Sequence, residues 1–61
     1  MANLTTKELT ALEDQIGFEK VLSCKYQDAA QQCTDTELKG KFEQFSTQHK
    51  QNYTNLLNYL K

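Results

Sequence analysis

The chain has 61 residues, with seven lysines, no arginine, eight acids and a formal net charge of −1. That length allows one domain, 1–61, with a modest core. The near-neutral balance argues against a nucleic-acid binder, which carries a basic stripe, and against an anionic membrane surface as partner.

Proline and tryptophan are absent, there are two glycines, and glutamine and threonine occur seven times each. This composition predicts long helices with wet outer faces. No apolar run approaches the roughly twenty residues of a membrane span. The start, Met1-Ala2-Asn3-Leu4, lacks the basic and apolar regions of a signal peptide. A soluble, unprocessed chain that is not secreted by a signal peptide is expected.

The first helix announces itself at Thr5-Thr6-Lys7-Glu8, a capping box in which the Thr5 hydroxyl accepts from the Glu8 amide and Glu8 reaches back. Leu4 and Leu9 flank it as a hydrophobic staple. The pattern predicts a helix over about 6–32. Its apolar stripe is Leu9, Leu12, Ile16, Leu22, Tyr26, Ala30 and Cys33, with Ala11, Phe18 and Ala29 on one flank. Glu19 falls near the middle of that arc. Gly17 either permits close approach of another helix or is a neutral surface position. Glu13 and Asp14 are adjacent acids on the outer side, as expected of a solvated face.

Cys24 and Cys33 are nine positions apart. On one helix, at ~1.5 Å per residue, they sit ~13 Å from each other, beyond the ~7 Å Cα separation a disulfide allows. Two free thiols are expected.

A second capping signature, Thr34-Asp35-Thr36-Glu37, is flanked by Cys33 and Leu38. It predicts a turn around 33–35 and a second helix over about 36–60. That helix carries Leu38, Phe42, Phe45, His49, Tyr53, Leu56 and Leu60, a three-and-four spacing that reads as a bundle seam, with Leu57 beside it. His49, the one histidine, lies near its centre.

Glu19 and His49 each stand about fifteen residues from the turn, so an antiparallel hairpin brings them to the same height. There, burial without a partner costs several kcal/mol. Two readings follow. In one, the pair hydrogen-bonds, with Tyr26 or Tyr53 as further partners, and sets helix register. In the other, a twofold axis gathers two Glu19 and two His49 around one Zn²⁺ or Fe²⁺.

The expected fold is all-α: an antiparallel two-helix hairpin. Its apolar faces are wider than a hairpin needs, which marks an interface. Two hairpins forming a four-helix bundle, a homodimer, are the expected solution. The core and dimer face comprises Leu12, Ile16, Leu22, Tyr26, Phe42, Phe45, Tyr53, Leu56 and Leu60. There is no nucleophile–base–orienter set, phosphate loop or zinc-finger spacing.

Leu12-Glu13-Asp14, Glu19, Lys25-Tyr26, Asp35, Leu38-Lys39, His49 and Leu56-Leu57 occur in an order and spacing that resembles the short spore coat proteins of the coat F type from spore-forming Firmicutes. The resemblance runs from Leu4 to Leu60. It implies a ferritin-like fold with this chain as half of a four-helix bundle. It also implies a structural role in the spore or its coat, other coat proteins as partners, and the cytoplasm of the sporulating cell or the coat as location. Under it, Tyr26, Tyr53 and Tyr59 become candidate cross-linking sites, against plain packing at the core edge.

Relatives of that type tend to carry His-x-x-His on the second helix, where this chain has His49 and Asn52. The Glu-x-x-His motif of di-iron bundles meets Ser46 three residues before His49. Both departures put a di-iron oxidase or ferroxidase in doubt, so a structural protein that is not an enzyme is the first expectation. A metal-binding ferritin-like module using Glu19 and His49 is the second. An adaptor hairpin that pairs with a longer partner is the third.

Overall fold

The computed structural model describes residues 3–60; Met1, Ala2 and Lys61, which belong to the expected 1–61 domain, lie outside the described residues. Helix α1 spans Thr6–Gln32 and helix α2 spans Thr36–Leu57, followed by a 3-10 turn at Asn58–Leu60. The two helices pack antiparallel as a hairpin of Cα extents 46 × 15 × 11 Å, a single thin layer.

α1 begins as its sequence predicts. The Thr5 hydroxyl accepts from the Glu8 N–H at 3.1 Å, and the Thr5 N–H donates to Glu8 Oε1 at 2.9 Å. Two of the amides left without helical partners are satisfied reciprocally.

α2 begins differently from the expectation. Asp35, not Thr34, is the N-cap, and its Oδ1 accepts from the Leu38 N–H at 2.8 Å. A carboxylate is the stronger acceptor at the positive end of a helix. Moving the cap by one residue puts Leu38, rather than Glu37, at the position that would reach back. Leucine has no acceptor, so the second box stays half-formed. The end of α2 also differs: the helix stops at Leu57, and the last three described residues tighten into a 3-10 turn, a common way to finish a helix whose last carbonyls lack partners.

The connection is only residues 33–35. Cys33 and Asp35 have extended backbones, and no described residue needs a positive φ. The Cys33 N–H still reaches Ala30 O at 3.3 Å, and its thiol meets Asp35 O at 3.4 Å. Across this short link α2 runs back along α1 and packs on it.

Packing between the helices centres on Ile16, Glu19, Ser23 and Ala30 of α1 and Ser46 of α2, the five residues buried among those described. Two of these are small serines, and they meet: Ser46 Oγ donates to Ser23 O at 2.8 Å across the interface. That bond spans the two helices where larger side chains would hold them apart.

Gly17 takes no part in close approach. A Cβ built there, or at Gly40, meets nothing within 4 Å, so Gly17 is the surface position of the two alternatives. Apart from Ile16 and Ala30, the apolar seam is only half-buried or exposed, and no side chain among the described residues is fully enclosed. Of the nine residues expected at the core and dimer face, Phe45 is the most open, at 45%.

Candidate functional site

The hairpin brings Glu19 and His49 together at mid-length, as their equal distance from the turn requires. His49 Nδ1 lies 2.6 Å from Glu19 Oε2. Glu19 is buried, at 7% exposure, yet its carboxylate is fully engaged. Asn52 Nδ2 donates to the same Oε2 at 3.3 Å, and Gln15 Nε2 donates to Oε1 at 3.1 Å. Three donors, from one turn back on α1 and two positions on α2, surround one acid.

The Tyr26 ring stacks on the His49 imidazole, with centroids 5.7 Å apart and planes 11° from parallel. Tyr26 also contacts Phe42 at 6.0 Å and Phe45 at 5.3 Å. The expected tyrosine contribution is therefore a ring face, not a hydrogen bond. Tyr53, the other expected partner, is half-buried and makes no side-chain hydrogen bond among the described residues.

These contacts set the charge state. The hydrogen bond from His49 holds the Glu19 carboxyl below the usual carboxylate range, with smaller help from Asn52 and Gln15, against the upward push of burial. An ionised carboxylate only accepts, so the short contact assigns the shared proton to His49 Nδ1. The remaining ring nitrogen, Nε2, has no partner among the described residues. Every buried side-chain nitrogen and oxygen among the described residues does have one. Nε2 therefore opens to solvent, consistent with a His49 side chain 23% exposed.

Gln15 and Asn52 are the members that sequence reasoning missed. Gln15 stands one turn before Glu19, a spacing at which a glutamine amide reaches an acid; that signal was available. Asn52 was read as a lost metal ligand, and here it is a donor to Glu19. Ser46, read as a lost glutamate, is the bridging hydroxyl to Ser23.

For metal binding, the geometry supplies little within one chain. Both Glu19 oxygens already accept hydrogen bonds, and no group of three or more His, Cys, Asp or Glu among the described residues could hold an ion. Cys24 is exposed and Cys33 half-buried, both as free thiols. No described helix is long and apolar enough to cross a membrane.

The two faces of the hairpin differ. One carries a polar groove lined by Gln27, Gln31, Lys39, Glu43, Thr47 and Lys50, floored by Ala30 and Ser46. The other carries the aromatic cluster. Phe18, Leu22 and Tyr26 succeed one another at four-residue steps on α1, and Tyr26 touches Phe42, Phe45 and His49 of α2. Phe18 is 62% exposed and Leu38, one heptad before Phe45, is 46% exposed.

In comparison with known proteins, the chain matches no family model, no curated protein and no solved structure.

Glu19→Ala at neutral pH strands the His49, Asn52 and Gln15 donors, and the expected loss is about 2 kcal/mol in denaturant unfolding. Because the folded-state pKa of Glu19 is depressed, its contribution is present above the unfolded value of about 4.3. It is lost as the pH falls through the folded value. The thermal midpoint of the parent chain should therefore drop on acidification below about 4.3, and Glu19→Gln should drop less. The variant removes only this contribution, leaving that of Glu8, whose carboxyl the Thr5 N–H holds low. Equal acid sensitivity of parent and variant would contradict the assignment.

Proposed function

We propose that this chain is a small structural protein whose function is assembly: two hairpins pair through their open apolar faces into a four-helix bundle. The observation that carries this reading is the apolar surface left open beside the helix seam. Phe18, Leu38 and Phe45 stand exposed around the Tyr26 cluster, whereas Gln27, Gln31, Lys39, Glu43, Thr47 and Lys50 line a polar groove. An open aromatic face on a layer only 11 Å thick in Cα extent is what a second layer covers. A net charge of −1 opposes self-association only weakly.

The coat-like reading rests on the resemblance described above, and a ferritin-like half-bundle follows from the same source. The described residues offer a scaffold and a recognition face, which favours a role as a coat or assembly component, with other coat proteins as partners, over catalysis. This role requires a transcript that appears in sporulating cells; transcription confined to vegetative growth would count against it.

Metal binding is the second reading. The 2.6 Å contact draws Glu19 and His49 to one level, and two copies would bring four such groups together for Zn²⁺ or Fe²⁺. It requires Glu19 to release Gln15 or Asn52. Untagged protein should then carry up to one ion per dimer, lost in His49→Gln; a metal content no higher in the parent than in the variant would exclude this reading.

Self-association is tested directly by sedimentation at micromolar concentration. A dimer is expected, and Phe45→Glu, which places a charge on the exposed aromatic patch, should shift it to monomer with the helical signal retained. A parent chain that is monomeric throughout that range would refute the assembly proposal.

A further inference from the structure

The Glu19 cluster is complete on its inner side and open on its outer side. His49 Nδ1 is committed to Glu19. Asn52 is doubly committed, donating to Glu19 and accepting from Gln48 Nε2 at 3.0 Å. His49 Nε2 has no partner among the described residues and reaches solvent, and Gln15 Oε1 likewise accepts no hydrogen bond among them. Both lie at mid-length: Gln15 is three residues before Phe18 and seven before Leu22, spacings that share a helix face, and the His49 ring stacks on Tyr26, which also meets Phe45.

A second copy seated on that face takes these atoms out of water. Burying a polar atom unpaired costs roughly 1–3 kcal/mol. At mid-length, the polar side chains that a second copy can offer include its own Gln15, Gln48, His49 and Asn52. We infer that the cluster decides how the copies seat: each copy's Gln15–His49 edge lies against the other's, in a single register. The inference rests on the self-association proposed above and names its alignment.

The discrimination follows from spacing. Sliding one hairpin by a heptad moves it ~10 Å along its partner. His49 Nε2 then faces phenylalanine or leucine in place of an amide. The apolar surface, which repeats every three or four residues, discriminates weakly between such registers, whereas the mid-length polar edge occurs once. A single buried polar position selects one alignment in helical bundles in the same way, at some cost in stability.

The experiment uses the full chain with Cys33→Ser, spin-labelled at the exposed Cys24. Inter-label distances within the dimer are read by pulsed electron resonance. One narrow distance is expected for this parent and for His49→Gln, which keeps a polar group at the edge. His49→Phe keeps the ring stacked on Tyr26 and removes both nitrogens. It should remain dimeric by sedimentation, bind its copy no more weakly, and lose the single distance to two or more populations. The double variant Glu19→Gln/His49→Phe removes the buried charge as well and gives the same reading should the single variant not fold. A dimer of either Phe variant with the same narrow distance, or a parent with several distances, overturns the alignment inference while leaving self-association standing. A monomeric parent, with no inter-label distance, overturns both.

Discussion

A carboxylate held almost out of water at the mid-point of a two-helix layer constrains everything around it. Glu19 stands in the seam between the helices, where solvent supplies few of its hydrogen bonds. The chain supplies them: Gln15 from one turn earlier, His49 and Asn52 from the facing helix. Donors on both helices have to arrive at one height, so the acid ties the register of α2 against α1. Tyr26 then covers the imidazole face, and through Tyr26 the polar cluster is continuous with the aromatic one. The Ser46–Ser23 bond, about one turn away, adds a second tie in the same register.

A hairpin of this thickness cannot enclose a core. With one layer of helices, each helix has one neighbour, and a residue off the contact line keeps much of its surface. Hence Ile16 and Ala30 are the only buried apolar residues among those described, and the buried polar members of the seam outnumber them. Part of the apolar surplus, Phe18, Leu38 and Phe45, gathers around Tyr26, while Val21, one position before Leu22 and so about 100° round the helix from it, is exposed apart from that cluster. An open aromatic cluster of that kind suits assembly, in which a second layer covers it.

Much of this arrangement was legible in the residues, because it depends on local spacing. Thr5 and Glu8 formed their box because both halves lie within one turn. Glu19 and His49 met because a three-residue connection leaves little freedom in how far each lies from the turn. Less legible was anything decided by competition between neighbours. Thr34 and Asp35 both qualify as caps, and the stronger acceptor took the position, which dissolved the predicted second box. Asn52 and Ser46 looked like missing ligands when measured against a motif. Each is a hydrogen-bonding group with a partner on the other helix, and a motif has no term for such a partner. Gln15 could have been found from its i+4 relation to Glu19.

By itself the sequence determined what depends on order along the chain: two helices, the capping box of the first, a short turn between them, and the height at which an acid and an imidazole face each other once the helices pack antiparallel. Only the tertiary structure decided which atoms meet. Whether Gly17 lies under a neighbour, which of two adjacent residues caps α2, which donors surround Glu19, and which face of the hairpin stays apolar all depend on the rotation of each helix about its axis. Periodicity bounds that rotation to a broad arc, and packing against the second helix narrows it to one angle.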